Sequence, residues 1–275
     1  MSTLISWSDE VWNPTTGCDQ VSPGCAHCYA KLLASRYRQN PKMQALGIYQ
    51  RDGGRASGPG FGLTLRPEVL KKPLHWKRGR RIFVNSMSDL FHDEIPSDYI
   101  WDVFNVMAQR PEHTFQILTK RIEQALLLLE YLTDLLRIGA PSFMRAHLAL
   151  AYQFDHGNWP LRNVLIGPTV ENLHFAQIRL PILQKIHELG WRTMVSYEPA
   201  LGLVDFETYV DGIDWLICGA ESGPKRRPFN YEWARSAMQQ ARDAGIPFFF
   251  KQGPGAKSEN LDGVPADLLV REFPT

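Results

Sequence analysis

The chain has 275 residues, 44% of them hydrophobic and 21% charged, and its 30 basic and 29 acidic side chains leave a formal net charge of +1. This is an ordinary globular composition, and it provides no overall field that would favour nucleic-acid binding, although a local basic patch remains compatible with it. The N-terminus lacks the basic and apolar regions of a secretory signal, and the longest apolar run, residues 125–136, is too short to span a membrane. With only four cysteines we expect a cytoplasmic protein with reduced thiols and no membrane partner.

Short apolar runs recur along the chain, and each ends in glycine or polar residues. They lie at 81–89, 113–121, 163–172, 191–199, 214–223 and 246–253. Their near-continuous apolar character is typical of strands that are buried on both faces of a parallel sheet. A weaker pattern at 5–12 is a candidate first strand, which brings the predicted count to about seven.

Helical patterns separate these strands. Apolar residues in 98–109 recur at i, i+3, i+4 and i+7, and further helices are predicted at 122–138, 175–190 and 230–245. Asn230 is the predicted N-cap of the last helix. The alternation of strand and helix predicts right-handed βαβ units in one domain over 1–275.

The predicted architecture is a partial or closed (β/α) barrel. Two stretches depart from the alternation: a glycine-rich excursion at about 39–64 and a segment at 139–162 with a short helix and a loop. A tail is expected after about residue 253. Long loops of this kind often contribute to substrate binding in α/β enzymes.

Polar and charged side chains follow nearly every predicted strand. They are Ser86, Ser88, Asp89, Thr119, Lys120, Arg121, Thr169, Glu171, Asn172, Ser196, Glu198, Glu221, Ser222, Lys251 and Gln252. Because the carboxyl ends of parallel strands meet on one face, we expect Glu171, Glu198 and Glu221 to converge with Lys120 and Lys251. Such a mixture suits a polar, zwitterionic ligand, although solvated loops and helix caps would also explain individual residues.

Three of the four cysteines, Cys18, Cys25 and Cys28, fall within eleven residues in the pattern C-x6-C-x2-C. Three thiolates on one loop suit a 4Fe–4S cluster in which one iron is left open to a small molecule. Structural zinc is the alternative metal, and three cysteines without metal remain a further alternative.

A structural zinc site would need a fourth protein ligand. The candidates are His27, His92 and Cys218. His27 lies inside the turn between Cys25 and Cys28 and could not easily bend back onto the same ion. Cys218 lies in the apolar run "WLICGA" and is predicted to be a core residue.

Several segments together resemble a family of phage-encoded and bacterial three-cysteine-motif proteins that are similar to the radical S-adenosylmethionine superfamily. They are "WNPTTGCDQVSPGCAHCYA", "RIFVNSMSDLFH", "HTFQILTKR", "VSYEPALG", "DWLICGAESG" and "PFFFKQ". The resemblance implies a TIM-type barrel with parallel strands, a 4Fe–4S cluster on the three cysteines, and S-adenosylmethionine as cofactor. The usual superfamily spacing is C-x3-C-x2-C, whereas this chain has six residues between its first two cysteines.

The resemblance also implies roles for the strand-end residues. Ser86, Ser88 and Asp89 would meet the amino group of the methionine moiety, Lys120 or Arg121 its carboxylate, and Glu171 or Asn172 the ribose hydroxyls. Glu198, Glu221 and Lys251 would be left for catalysis on an unknown substrate. The implied reaction is reductive cleavage of S-adenosylmethionine with an electron from a separate donor, followed by radical modification of that substrate.

Two other functions remain open from the residues alone. A zinc- or cluster-stabilised module that binds nucleic acid or protein is favoured by two basic stretches, residues 71–81 and 224–229. A metal-independent barrel hydrolase could use Glu198 and Glu221 as a carboxylate pair, but that function leaves the cysteines unexplained.

Overall fold

The computed structural model describes residues 5–53 and 58–275, and the strands and helices below are those of this part of the chain. The strands are β1 (Glu10–Val11), β2 (Thr15–Thr16), β3 (Thr64–Leu65), β4 (Arg81–Val84), β5 (Thr114–Thr119), β6 (Val164–Pro168), β7 (Arg192–Thr193), β8 (Val195–Tyr197), β9 (Leu216–Gly219) and β10 (Phe248–Gln252). The helices are α1 (Tyr29–Tyr37), α2 (Pro41–Ala45), α3 (Pro67–Leu70), α4 (Ser97–Ala108), α5 (Ile122–Arg137), α6 (Pro141–Ala146), α7 (Leu148–Asp155), α8 (Leu173–Glu188) and α9 (Tyr231–Asp243).

The fold is mixed α/β, with mostly parallel strands at its centre. One sheet has the strand order β1-β4-β5-β6-β7, and a second has the order β10-β9-β8, with every pairing in both parallel. A parallel bridge between Thr169 and Ser196 joins the two sheets where β6 and β8 end. The predicted α/β class and parallel strands are therefore confirmed.

The outer edge of β10 is covered by the C-terminal segment. Phe250 N donates to Val270 O at 2.8 Å, and Phe249 forms an antiparallel bridge with Arg271. Among the strand pairings of the described residues, none joins β1 to β10. A closed barrel is therefore not confirmed.

Successive residues of the buried strands face opposite sides of the sheet, as the period of a strand requires. In β9, Leu216 and Cys218 belong to the large core cluster beneath the helices, whereas Ile217 belongs to a smaller cluster on the other face. We call this second face the inner face. Its cluster consists of Trp7, Phe83, Leu165, Met194, Trp215, Ile217 and Phe249.

Most long elements lie where the sequence places them. The N-cap prediction is confirmed, because Asn230 Oδ1 accepts a hydrogen bond from Glu232 N at 2.9 Å. Pro181 lies inside α8, which continues through it. No helix in the described part of the chain has both the length and the apolar character needed to cross a membrane.

The two irregular stretches contain more structure than the sequence indicates. The excursion at 39–64 includes α2 and the first residue of β3, although residues 54–57 of it lie outside the described residues. Residues 139–162 contain two helices, α6 and α7, rather than one. The sequence patterns also missed α1, whose apolar residues do not form a long stripe. This helix packs in a small apolar cluster, which we call the satellite cluster and which consists of Ala30, Ala34, Ile48, Tyr49, Phe61 and Met87.

Candidate functional site

The loop that contains the three cysteines, residues 17–28, is held at its start by the turn after β4. Asn13 Oδ1 accepts hydrogen bonds from the backbone N–H groups of Ser86 (2.7 Å) and Met87 (3.1 Å), and Ser88 Oγ donates to Gly17 O at 2.7 Å. Gly17 has a φ of 89°, and a Cβ there would lie 2.2 Å from Gly62 O, so the chain requires glycine at this point. Of the two predicted cofactor-binding serines of this turn, Ser88 therefore anchors the cysteine loop itself, and Ser86 anchors the segment just before it.

Cys18 is bordered by a charged pair from the ends of β4 and β5. Arg121 Nη1 lies 3.4 Å from Cys18 Sγ and 3.4 Å from Asp89 Oδ2. Burial, assisted by the negative charge of Asp89, raises the pKa of the Cys18 thiol to about 12, although Arg121 opposes the shift. Without a metal the Cys18 sulfur is therefore protonated at neutral pH, and binding to a metal would release that proton.

The middle of the cysteine loop rests on a buried carboxylate after β6. Ser22 Oγ donates to Glu171 Oε1 at 2.5 Å, and Arg179 Nη1 donates to Glu171 Oε2 at 2.9 Å. Glu171 is fully buried, and a Cβ on Gly24 would lie 2.5 Å from its Oε1. Lys120 Nζ lies 3.7 Å from the same oxygen. Both oxygens of Glu171 are therefore engaged with protein groups.

The end of the cysteine loop contacts a carboxylate after β9. Glu221 Oε2 accepts hydrogen bonds from Arg227 N at 2.8 Å and Arg227 Nε at 3.0 Å, its Oε1 pairs with Arg227 Nη2, and His27 Nδ1 lies 3.1 Å from Oε2. Arg227 Nη1 also donates to Pro23 O at 3.1 Å. Burial alone would raise the pKa of Glu221, but the hydrogen bonds from Arg227 and His27 outweigh it and lower the pKa to about 2.

A separate ion pair lies at the ends of β8 and β10. Lys251 Nζ is 3.2 Å from Glu198 Oε1, and Ser196 Oγ donates to Glu198 Oε2 at 3.3 Å. A Cβ on Gly219, the last residue of β9, would lie 2.6 Å from Glu198 Oε1, so this glycine makes room for the carboxyl group. Burial raises the pKa of Glu198, and Lys251 offsets only part of the shift.

The three loop cysteines differ from the fourth in their exposure. Cys18, Cys25 and Cys28 are half-buried and free, and Cys18 and Cys28 pack against the satellite cluster around α1. Cys218 is fully buried in the main core, which confirms the sequence prediction for that residue. It therefore cannot reach the loop as a fourth ligand.

No group of three or more His, Cys, Asp or Glu side chains within 5–53 and 58–275 is arranged to hold a single metal ion. A single zinc ion needs its sulfur ligands at about 2.3 Å from the metal, so the sulfurs must converge on one point. His27, one of the candidate fourth ligands, instead contacts Glu221, and His92 Nε2 faces Asp19 Oδ2 at 3.3 Å. A structural zinc site is therefore not supported.

The remaining predicted residues lie outside this cluster. Asn172 is the N-cap of α8, and its Oδ1 accepts from Phe175 N at 3.2 Å. The basic stretch 71–81 leads into the amino end of β4, at the opposite end of the strands from the cysteine loop. In that stretch Arg80 pairs with Glu10 at 2.6 Å, and Arg81 pairs with Asp9 at 2.8 Å.

Sequence reasoning missed the arginines that bind Glu171 and Glu221. Arg179 lies within α8 and Arg227 in the loop before α9, and neither follows a strand directly. Ser22 and Gly24 lie in the cysteine loop, but the sequence patterns predict no role for either residue. The signal for Arg227 is the basic stretch 224–229, which the sequence offers only as support for the alternative of a nucleic-acid-binding module. The structure instead pairs Arg227 with Glu221.

Comparison with known proteins gives few matches. No curated protein matches the chain. Among solved structures, the chain is similar to a cysteine-to-serine mutant of spore photoproduct lyase, with a TM-score of 0.49 and 10% sequence identity over 94% of this chain and 78% of that chain. The phage-encoded, three-cysteine-motif assignment is tested by neither comparison and stays a prediction. The model of family DUF5131, described as a protein of unknown function, matches residues 2–267, and the chain therefore belongs to the DUF5131 family.

Proposed function

We propose that this protein is an iron–sulfur enzyme of the radical S-adenosylmethionine type, with a 4Fe–4S cluster held by Cys18, Cys25 and Cys28. One observation carries the proposal: three half-buried thiols occupy one loop at the carboxyl ends of parallel strands, while Cys218 is sealed in the core. The carboxyl ends of parallel strands are where active sites of α/β folds lie. The two sheets would together form the wall of a partial barrel around this site.

The chemistry of the donor set fits such a cluster better than a single ion. Each cysteine binds a different iron of a 4Fe–4S cluster, so the three sulfurs need not converge on one point. The apolar cluster beside the loop, which includes Ala34, Phe61 and Met87, would shield one side of the cluster from water. Three protein ligands would leave one iron open for S-adenosylmethionine.

The chemistry that a cluster and S-adenosylmethionine supply when bound is one-electron cleavage of the sulfonium carbon–sulfur bond to give a hydrogen-abstracting radical. The chain's own residues would bind, orient and exclude water. With Glu171 and Glu221 engaged by the cysteine loop, the pair Glu198 and Lys251 is the part of the predicted catalytic set that remains for a substrate. Lys120 would be the fixed cation for a carboxylate group.

The raised pKa of Glu198 supports a role in moving a proton. A carboxyl group that is disfavoured as an anion can donate a proton to a substrate and take one back. Lys251 Nζ, 3.2 Å away, would orient it and stabilise its charged form. The substrate, with a nucleic acid among the candidates, and the electron donor would be further partners of the site.

The test is to purify the protein without oxygen and to measure iron, sulfide and zinc per chain together with the visible absorption. We expect about four iron and four sulfide per chain, and 5′-deoxyadenosine after addition of S-adenosylmethionine and a reductant. Replacement of Cys18, Cys25 or Cys28 by Ala should remove the iron. Cys218→Ala is the matched control and should retain it.

A colourless protein with one zinc per chain and no sulfide would contradict the proposal. It would favour the alternative of a zinc-stabilised module that binds nucleic acid or protein. Loss of iron from the Cys218→Ala variant, with the fold intact, would also contradict the ligand assignment.

A further inference from the structure

We propose that Arg121 is a positioning residue that raises the reduction potential of the cluster by donating a hydrogen bond to the Cys18 sulfur. The inference rests on the proposed function, because it concerns the cluster that the three cysteines would hold. The resemblance implies that Lys120 or Arg121 meets the cofactor carboxylate, and this inference gives Arg121 a different role. The observation behind it is the 3.4 Å distance between Arg121 Nη1 and Cys18 Sγ.

Arg121 is oriented by a network that does not depend on any ligand. Its backbone N donates to Thr119 Oγ1 at 2.9 Å, and Thr119 Oγ1 donates to Asp89 Oδ1 at 2.7 Å. Asp89 Oδ2 accepts from Lys120 N at 2.9 Å and faces the Arg121 guanidinium. These bonds hold the strand end, the carboxylate and the guanidinium together, so the cation is already placed beside the sulfur.

The position is also dry. The side chains of Arg121 and Asp89 are 9% and 7% exposed. Screening by water is weak at such a position, so a charge beside the sulfur has a larger effect than it would at the surface. The second cysteine has a different hydrogen-bond partner, because Cys25 Sγ lies 3.7 Å from the uncharged Ser22 hydroxyl. The charge of Arg179 acts on Cys25 without a hydrogen bond to its sulfur.

The direction of the effect follows from charge. Reduction adds an electron to the cluster and makes its sulfurs more electron-rich, and a cationic hydrogen-bond donor stabilises that state more than the oxidised one. Loss of the guanidinium should therefore make the cluster harder to reduce. The negative charge of Asp89 partly cancels the positive charge of Arg121. The net effect on the reduction potential therefore comes from the hydrogen bond that the guanidinium donates directly to the Cys18 sulfur.

The two cations that follow β5, Lys120 and Arg121, differ in what they contact. Arg121 is committed to Asp89 and Cys18, whereas Lys120 Nζ lies 3.7 Å from a Glu171 oxygen and its side chain is 20% exposed. Lys120 is therefore the residue of the two that a carboxylate ligand could reach. Arg121 acts through Cys18 and is not a catalytic residue.

The experiment is a redox titration of the anaerobically purified full chain, monitored by electron paramagnetic resonance, for wild type, Arg121→Gln, Arg121→Lys and Arg227→Gln. Arg227 is the matched control, because it also holds the cysteine loop, through Glu221 and Pro23 O, but touches no sulfur. Arg227→Gln should lower the iron content, as Glu221→Gln does, so the potentials are compared on the cluster that each variant retains. For Arg121→Gln we expect a loss of about tenfold or more in the equilibrium constant for reduction, which is a fall of about 59 mV for one electron. Arg121→Lys should show a smaller fall, and Arg227→Gln should show none.

Each result decides the inference. A cluster retained in Arg121→Gln with an unchanged potential overturns the role of Arg121 and leaves the proposed function intact. An equal fall in Arg227→Gln overturns it as well, because any loosening of the loop would then suffice. Complete loss of iron from both Arg121 variants, while Arg227→Gln retains part of its cluster, assigns Arg121 to holding Cys18 and overturns the effect on the potential. A wild-type protein without iron and sulfide overturns both proposals.

Discussion

Glu221 and Glu198 follow the neighbouring strands β9 and β8, yet their environments shift their pKa values in opposite directions. Arg227 and His27 surround the Glu221 carboxylate with donors and lower its pKa to about 2. Glu198 is buried with fewer donors, and its pKa is raised in spite of Lys251. Two carboxyl groups at equivalent strand ends therefore suit different tasks, one as a fixed anion that holds a loop and the other as a group able to exchange a proton.

The difference arises from which part of the chain each carboxylate meets. Glu221 and Glu171 both contact the cysteine loop, through His27 and Ser22, across sequence separations of 194 and 149 residues. Glu198 contacts Lys251 and Ser196, which both belong to the second sheet. Glu171 and Glu221 therefore hold the cysteine loop, whereas Glu198 pairs with Lys251 at the ends of the second sheet.

The largest effect is expected from Glu221→Gln, which leaves Arg227 and His27 without an anionic partner. We expect a loss of about 2 kcal/mol in the free energy of unfolding, since hydrogen bonds to charged groups are worth more than neutral ones. Iron bound per chain should fall by roughly half or more, because the end of the cysteine loop is released. Denaturant unfolding and iron analysis measure the two effects.

The control for Glu221→Gln is Glu232→Gln, which removes an exposed pair with Arg235 on the surface of α9. That substitution should cost less than about 0.5 kcal/mol and leave the iron content unchanged. Equal effects of the two substitutions would contradict the role of Glu221 in holding the loop.

Gly24→Ala tests the other contact between a carboxylate and the loop. A Cβ at this position would lie 2.5 Å from Glu171 Oε1, and the Glu171 side chain cannot move freely because Arg179 binds it. We expect a loss of about 1–2 kcal/mol in unfolding free energy. Gly202→Ala is the matched control, since the nearest atom to its Cβ is 3.7 Å away, and it should change stability by about 0.5 kcal/mol or less.

The two carboxylates should also contribute pH dependences of opposite sign. The pKa of Glu221 is lowered from 4.5 to about 2 on folding, so its contribution to stability is present above pH 4.5 and is lost as the pH falls towards 2. The pKa of Glu198 is raised above 4.5, so its contribution is complete below that pH and is lost as the pH rises through the folded pKa. The difference between wild type and Glu221→Gln, measured by denaturant unfolding from about pH 3 to 8, should shrink by about 1–2 kcal/mol as the pH falls. The difference between wild type and Glu198→Gln should change in the opposite direction over the same range. Slopes of the same sign would contradict the comparison.

The smallest effect is expected from Glu198→Gln at neutral pH. Glutamine has the shape of a protonated glutamate, and the environment already disfavours the anion, so the stability change should stay below about 1 kcal/mol. Iron content should equal that of wild type, in contrast to Glu221→Gln. A loss of iron would show that Glu198 also holds the cysteine loop.

Much of the fold could be predicted because the core elements carry repetitive apolar patterns. The runs that became β4, β5, β6 and β9 are buried on both faces, and the stripe of α4 and the cap at Asn230 are visible in short windows of sequence. The helix α1 and the short elements of the glycine-rich excursion were missed, because their burial comes from a small cluster that gathers distant residues. The residues that follow the strands were also easier to predict than the residues that contact them.

The candidate site also has features that could be predicted from the sequence and features that could not. The three cysteines and the charged strand ends could be selected from residue type and position. Their pairing could not, because Arg121 reaches Cys18 across 103 residues and Arg227 reaches Pro23 across 204. Contacts between residues so far apart in the sequence depend on how the loops pack over the sheet. They cannot be predicted from patterns in short stretches of sequence.

The sequence by itself determined the α/β class, the parallel strands, the clustering of three cysteines and the burial of the fourth, because each depends on local patterns of apolar and polar residues. Only the tertiary structure decided which carboxylates hold the cysteine loop, which cation faces Cys18, and that Glu198 and Lys251 pair apart from them. The physical reason is that burial and charge pairing depend on distances between segments far apart in the chain. Those distances exist only once the strands have assembled and the loops have packed on their ends.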